Sequence, residues 1–155
     1  MVEGINRMAL GVYGLPCPVV CAITGHAIAG GFVLAVCGDH RVASSEGRYG
    51  LTEVKVGVPY PQGAIGVVRA ELTAAAARTL VLGNRLVDAD ECLRLGAFDE
   101  VRPPEAVVDR ALEVARELAE LPADVYARTK AELRSATLTS LRSAAAADPL
   151  LSGWA

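Results

Sequence analysis

The chain has 155 residues, of which 52% are hydrophobic and only 5% aromatic, and its formal net charge at pH 7 is -3. This length can bury the core of one domain, and an acidic balance without a Lys/Arg run argues against a nucleic-acid partner. The four cysteines, at positions 17, 21, 37 and 92, lack CxxC spacing. They indicate buried free thiols in a reducing, cytoplasmic compartment and no metal site.

A stretch without charged residues runs from Met8 to Gly38. It is long enough to span a bilayer, and with Arg7 ahead of it, it could also be taken for a signal peptide. Prolines at 16 and 18 and glycines at 14, 25, 30 and 31 divide it into pieces that are too short to span. We therefore expect no membrane segment.

Apolar spacing and the glycine and proline stops predict the first elements of the chain. Apolar residues at helical spacing predict a helix over residues 2–14. The β-branched, apolar residues 19–24 predict a buried strand, which Gly25 ends. The small-residue run 27–31 then opens a helix that has no polar face, so this helix belongs in a core.

Gly30 and Gly31 stand side by side at the start of that helix. Each glycine inside a helix costs about 1 kcal/mol relative to alanine, so the pair needs a reason. Two explanations are open at this point. A ligand could approach the free backbone N–H groups of the helix start, or the helix could pack tightly against a strand.

The rest of the chain alternates short strands with helices. Strands over 39–44 and 48–51 lead to Glu53 at a strand-to-helix junction, and a loop rich in Gly and Pro follows. The elements predicted after this loop are a helix over 72–82 closed by Gly83, a helix over 88–95, a strand over 97–102, a helix from Pro103 to Leu121, and two helical segments over 124–135 and 137–147. No G-x-G-x-x-G, G-x-x-x-x-G-K-[ST] or G-x-S-x-G motif occurs in the sequence.

Four motifs follow one another along the chain: G-H-A-I-A-G-G-F-V-L-A, G-D-H-R-V-A, Y-G-L-T-E-V-K-V-G and G-N-R-L-V-D-A-D-E-C-L-R-L-G-A-F-D-E-V. In this order and spacing the chain resembles the crotonase superfamily of enoyl-CoA hydratases and isomerases over residues 16–135. The resemblance implies an α/β fold, namely the C-terminal portion of a crotonase-like spiral of ββα units followed by C-terminal helices. Residues 1–102 would form the α/β core without the family's N-terminal strands, and residues 103–155 a helical region used in oligomerisation.

The same resemblance implies the site residues. Gly30 matches the glycine whose backbone N–H is one donor of the family's oxyanion hole, and Glu53 matches one of two glutamates that activate water in the hydratases. The other glutamate falls at Val33, which can neither orient water nor carry a proton. The second oxyanion donor and much of the site for the CoA adenine would precede Val2. The implied substrate contacts are His26, Ala27, Ile28, Val33, Tyr60 and Lys130, with the lysine near the CoA phosphates.

Ordinary structural roles compete with these assignments. A lone histidine in a turn, such as His26, is usually structural. Glu53 could be a carboxylate favoured by a helix dipole, Tyr60 could simply pack the turn, and Lys130 could be an exposed, solvated lysine. Asp39 is expected to satisfy a strand terminus.

A single carboxylate suits the removal of a proton from one carbon and its return to another. The resemblance therefore implies an enzyme of the 3,2-enoyl-CoA isomerase type that acts on an acyl-CoA thioester. The alternatives are a hydratase whose water is held differently and a catalytically silent, truncated subunit or binding module. Coenzyme A is part of the substrate, so no separate cofactor is expected. The expected partners are the acyl-CoA and further copies of the chain in a trimer or hexamer, with neither nucleic acid nor membrane.

Overall fold

Two small parallel sheets lie at the centre of the computed structural model, which describes residues 1–153. The larger sheet contains β1 (Val20–Ile23), β3 (His40–Ser44) and β5 (Glu100–Arg102) in the order β1–β3–β5. The smaller sheet pairs β2 (Ala27–Ile28) with β4 (Tyr49–Gly50). Since every pairing among these five strands is parallel, the carboxyl ends of paired strands lie at the same edge of each sheet.

Three helices pack together beside these sheets. They are α1 (Val2–Tyr13), α2 (Gly30–Val36) and α3 (Gln62–Glu71), and α1 contacts both of the others. Of the five consecutive apolar residues of α2, from Phe32 to Val36, four are buried and only Leu34 is exposed. The prediction that this helix belongs in a core is confirmed.

Three aromatic rings from different elements meet in the core. Phe32 on α2 lies 5.8 Å from Phe98 between ring centroids, and Tyr49 on β4 meets Phe98 edge to face at 4.7 Å. The buried Tyr49 hydroxyl donates a hydrogen bond to the Ser44 carbonyl at 2.6 Å, so its polar atom is satisfied. These contacts hold α2 next to β4.

The second half of the chain is mainly helical, as predicted. A helix α4 (Ala74–Ala77) continues into a wider turn over Arg78–Leu82. Asp88 begins α5 (Ala89–Arg94) by accepting a hydrogen bond from the Glu91 N–H at 2.8 Å. The helix α6 (Val107–Ala119) packs on β1 and β3, and α7 (Ala123–Ala146) packs on α3 and α1. The division of the chain at residue 102 stays a prediction.

Two of the predicted boundaries are wrong. Ala27 does not open a helix, because Ala27 and Ile28 form a two-residue strand whose partner lies more than twenty residues further along. The last helix is a single element of 24 residues and not two segments. Its sequence contains neither proline nor glycine, so nothing in it would stop a helix.

The helix α3 begins within the predicted loop rich in Gly and Pro, so that prediction is wrong for Gln62 and Gly63. The helix contains two glycines, Gly63 and Gly66. Both glycines are there for packing. A Cβ added at Gly63 would lie 2.9 Å from Asn6 Oδ1, and one at Gly66 would overlap the side chain of Leu141. Close packing of α3 against α1 and α7 therefore outweighs the low helix propensity of glycine.

The uncharged stretch from Met8 to Gly38 is divided among α1, β1, β2 and α2. In the part of the chain that the structure describes, no helix combines the length and apolar character needed to cross a membrane.

The four cysteines are free thiols. Cys37 and Cys92 are buried, and their burial raises the pKa of each thiol to about 12. The prediction of buried thiols is confirmed for these two and wrong for Cys17, which is exposed.

Candidate active site

The parallel pairing of β2 with β4 brings two of the predicted site residues to one edge of the smaller sheet. Ile28, the last residue of β2, lies opposite Gly50, the last residue of β4. Gly30 follows two residues after Ile28, and Glu53 follows three residues after Gly50. Because paired parallel strands end at the same edge of a sheet, Gly30 and Glu53 both follow the carboxyl edge of the smaller sheet.

The backbone at Ala29 directs the start of α2. Ala29 adopts φ 56° and ψ -127°, a region that residues other than glycine rarely occupy. Its N–H donates to the Gly50 carbonyl at 2.9 Å, and its carbonyl accepts from the N–H groups of Phe32 and Val33 at 2.9 and 3.1 Å. Ala29 therefore links β4 to the first turn of α2.

The N–H groups of Gly30 and Gly31 have no acceptor within residues 1–153. A Cβ added at either glycine would meet no atom within 4 Å. The glycine pair is therefore not required for packing, and the explanation by tight helix–strand contact is wrong. What remains of the two explanations is an exposed helix start with two free donors.

The side chain of Glu53 has one hydrogen-bond partner in the described chain, the hydroxyl of Tyr60, which donates to Oε2 at 2.6 Å. The other oxygen, Oε1, accepts no hydrogen bond from the described residues and is not buried. None of the ion pairs formed by residues 1–153 includes Glu53. We call Gly30, Glu53 and Tyr60 the strand-end site.

The local backbone holds Glu53 in a short turn. Residues Glu53–Val56 form a 3-10 turn, which Gly57 closes in the left-handed conformation at φ 69°. The Val58 N–H then donates back to the Glu53 carbonyl at 2.9 Å. A four-residue turn has little macrodipole, so a role of Glu53 as a helix-dipole carboxylate is not supported.

Burial and the adjacent carboxylate keep the Tyr60 phenol protonated. Burial is the larger cause, and the hydrogen bond to Glu53 is the next; both raise the pKa of Tyr60 well above its usual value. The hydroxyl therefore remains a donor toward Glu53 over the whole physiological pH range.

The other predicted substrate contacts lie in different settings. Val33 is only 1% exposed and belongs to the hydrophobic core, and Ala27 is also buried. Ile28 is half-buried at the end of β2. His26 is exposed, and its Nδ1 accepts a hydrogen bond from the Arg48 N–H at 2.9 Å, which gives this histidine a structural contact between the segments that lead into β2 and β4.

A surface groove of about 390 Å³ runs along β1 and the start of α2. His26, Ala27 and Gly31 line it, together with residues of β1, whereas Glu53 and Tyr60 do not. The groove therefore reaches Gly31 but not the carboxylate. Residues 1–153 contain no group of His, Cys, Asp and Glu side chains arranged to hold a metal ion.

Lys130 is not the exposed lysine that was expected, because its side chain is only 8% exposed. Its ammonium donates to Asp39 Oδ2 at 2.6 Å and to the Cys17 carbonyl at 2.9 Å. Asp39 also accepts from the Val19 N–H at 2.8 Å, which confirms that it satisfies a strand terminus. A contact between Lys130 and the CoA phosphates stays a prediction that these contacts do not support.

Further charges extend this pairing. Arg134 lies 3.0 Å from Asp39 and 3.5 Å from Glu71, which in turn pairs with Arg41. All five side chains are less than one-fifth exposed. We call Asp39, Glu71, Arg41, Lys130 and Arg134 the buried charge cluster, and it joins α7 to α3 and to the start of β3.

Two features, one in the strand-end site and one at the start of α3, were missed from the sequence. One is the hydrogen bond from Tyr60 to Glu53; the only signal for it is a tyrosine fixed between Pro59 and Pro61. The other is the pair Asn6 and Asp148, which are buried near opposite ends of the chain and bind each other at 3.0 Å. No local pattern could have paired two residues that are 142 positions apart.

Comparison with known proteins identifies a family. The family model described as enoyl-CoA hydratase/isomerase matches residues 3–151. A probable enoyl-CoA hydratase, EchA17, of Mycobacterium tuberculosis is 36% identical over 121 residues, which cover 77% of this chain and 46% of the relative. An (E)-benzylidenesuccinyl-CoA hydratase of Thauera aromatica is 33% identical over 102 residues, which cover 66% of this chain and 40% of the relative. The chain spans about half the length of the curated relatives it matches.

Solved structures agree with this result. A structure of the probable enoyl-CoA hydratase EchA3 of M. tuberculosis superposes with a TM-score of 0.86 at 38% identity and covers 91% of this chain and 60% of its own. A structure described as an enoyl-CoA isomerase of the same organism gives a TM-score of 0.87 at 37% identity. This match covers 94% of the present chain and 66% of the chain in that structure. The fold class that four sequence motifs predicted is confirmed.

Proposed function

The chain belongs to the enoyl-CoA hydratase/isomerase family, and from this premise we propose that it provides the base and one oxyanion donor of an enoyl-CoA isomerase. The observation that carries the proposal is the strand-end site. A glutamate without a cationic partner and a helix start with free N–H groups follow the carboxyl ends of two paired strands.

The two features supply what an isomerase needs. A thioester carbonyl makes the hydrogens on the adjacent carbon, C2, weakly acidic. Removal of one of them transfers negative charge to the carbonyl oxygen, so a fixed N–H donor at that oxygen lowers the barrier. The N–H of Gly30 is such a donor. It lies at the N-terminus of α2, where the positive end of the helix dipole also favours negative charge.

The proton transfer is assigned to Glu53. Its free oxygen, Oε1, takes a proton from C2 of a 3-enoyl-CoA, and the electrons of the broken C–H bond enter a dienolate that extends to the thioester oxygen. The same carboxyl group then gives the proton to C4, and the electrons return to form the C2–C3 double bond. No cofactor takes part, because coenzyme A belongs to the substrate.

The choice of isomerase over hydratase rests on Val33. In the hydratases that the chain resembles, a second glutamate occupies the position of Val33, whereas the valine side chain is apolar and 1% exposed. A valine cannot hold the attacking water. The hydratase remains the second candidate because most of the matching proteins bear that name.

Further contacts are proposed for the substrate and for assembly. Ala27 and Ile28 form the strand β2 that leads to the free donors, and His26 directly precedes it. This position supports a role for the three residues along the bound acyl-CoA. A homo-oligomer, a trimer or a hexamer, is the proposed assembly in the cytoplasm.

The test offers the protein a 3-enoyl-CoA and a 2-enoyl-CoA in separate reactions and follows the products by mass spectrometry. We expect conversion of the 3-enoyl substrate without a change in mass. Addition of water to the 2-enoyl substrate, at a rate equal to that of isomerisation or higher, would select the hydratase instead.

A further inference from the structure

Tyr60 is the only side chain in residues 1–153 that binds the carboxylate of Glu53. The distance of 2.6 Å between the hydroxyl and Oε2 falls in the range of short, charge-assisted hydrogen bonds. Because the phenol stays protonated, it can only donate in this contact. One oxygen of the carboxylate is therefore occupied, and the other is free.

The backbone on both sides fixes the position of Tyr60. Pro59 precedes it and Pro61 follows it, so the φ angles of both neighbours are restricted. Pro61 is the N-terminal cap of α3, and its carbonyl accepts from the Ile65 N–H at 3.1 Å. The backbone of Tyr60 is therefore joined directly to the first turn of α3.

That first turn is anchored by buried polar side chains from both ends of the chain. The Gln62 N–H donates to Asp148 Oδ2 at 2.7 Å, and the Gly63 N–H donates to Asn6 Oδ1 at 2.7 Å. Asn6 and Asp148 are 4% and 3% exposed. Two N–H groups that a helix start normally leaves to water are thus held inside the protein.

We propose that Tyr60 is a positioning residue, which holds Oε2 of Glu53 so that Oε1 alone carries the proton from C2 to C4 of the substrate. The inference rests on the proposed function for the reaction, but the contact itself exists without substrate. A freely rotating carboxylate would present either oxygen to either carbon and to water. A carboxylate held at one oxygen keeps the acquired proton facing the dienolate.

Tyr60→Phe tests the proposal because it removes the hydroxyl and keeps the ring. We expect kcat to fall by about 10-fold or more, in line with the loss of a hydrogen bond to a charged group, while KM changes less than twofold. Tyr126→Phe on α7 is the matched control, and its kcat should stay within twofold of the wild-type value.

A second readout separates positioning from a general loss of structure. With a 3-enoyl-CoA that carries deuterium at C2, the wild-type protein in ordinary water should deliver part of the label to C4. In Tyr60→Phe the labelled fraction at C4 should fall at least twofold, because the loosened carboxyl group exchanges its proton with water. A purely structural role would lower kcat and leave this fraction unchanged.

Crystal structures of the two proteins without substrate complete the test. We expect one Glu53 conformer bound to Tyr60 in the wild type and a different or divided conformer in Tyr60→Phe. An unmoved Glu53 together with an unchanged kcat and label fraction would overturn the proposal. If the wild-type protein does not isomerise a 3-enoyl-CoA, the proposed function fails, and the crystal structures alone then decide whether Tyr60 positions the carboxylate.

Discussion

The strand-end site and the buried charge cluster treat their carboxylates in opposite ways. Asp39 accepts hydrogen bonds from one ammonium and one backbone N–H, and it forms an ion pair with one guanidinium. Glu53 accepts one hydrogen bond from a neutral phenol and keeps an oxygen free. Two carboxylates of one chain are thus distinguished by their partners: one is neutralised within the protein, and the other is available to a substrate.

The glycines of the helix α3 and of the strand-end site differ in the same way, in whether the space beside them is filled. In α3, Gly63 and Gly66 leave room that Asn6 and Leu141 fill, whereas the space beside Gly30 is empty. Satisfied groups and filled space are typical of regions that hold the fold together. Unpaired donors, a free oxygen and open space indicate a region shaped for a ligand that comes from outside.

The largest change in stability is expected from Asp39→Asn. The substitution leaves Lys130 and Arg134, whose side chains are 8% and 11% exposed, with less negative charge around them. Breaking a buried ion pair costs about 3 kcal/mol. Urea unfolding, followed by the linear extrapolation of the free energy, measures the loss.

Glu117→Gln is the control for this prediction, since Glu117 pairs with Arg110 at 3.4 Å but is 66% exposed. Its loss should stay below about 1 kcal/mol, as for other surface pairs. Equal losses from both variants would show that the buried charge cluster contributes no more than a surface pair, and the contrast between the two carboxylates would fail.

A smaller loss is expected where α3 meets α7. Gly66→Ala forces a methyl group into the space of the Leu141 side chain, which is 2% exposed. Such overpacking costs about 2 kcal/mol. Gly31→Ala is the matched control: its methyl group meets no atom within 4 Å, so the free energy of unfolding should not decrease. A loss of the same size in Gly31→Ala would mean that this glycine, too, serves packing.

Much of this arrangement could be predicted because it depends on local sequence. The buried helix after Gly31 has only apolar residues to its end, Asp88 provides a side-chain oxygen that caps the helix α5, and the adjacent glycines 30 and 31 mark the start of α2. Each of these signals lies within a few residues of the structure that it predicts.

The features that could not be predicted depend on contacts between distant segments. A two-residue strand such as β2 has no periodicity of its own and exists because β4 pairs with it. The helix α3 contains glycines that are understandable only once α1 and α7 are in place. The residues that flank Lys130 are typical of an exposed helix, so they predict a surface lysine. Its side chain is buried because it binds Asp39, which lies 91 positions away.

Glu53→Gln tests the central claim most directly, that Glu53 is the base and Asp39 is a structural anchor. Glutamine retains the shape and can still accept the hydrogen bond from Tyr60, but it cannot take a proton. We predict that kcat for a 3-enoyl-CoA falls by at least about 100-fold, while KM and the free energy of unfolding stay close to the wild-type values. The exposed Glu46→Gln should leave kcat unchanged. A Glu53→Gln protein that retains most of its turnover would contradict the account, because the base would then lie elsewhere.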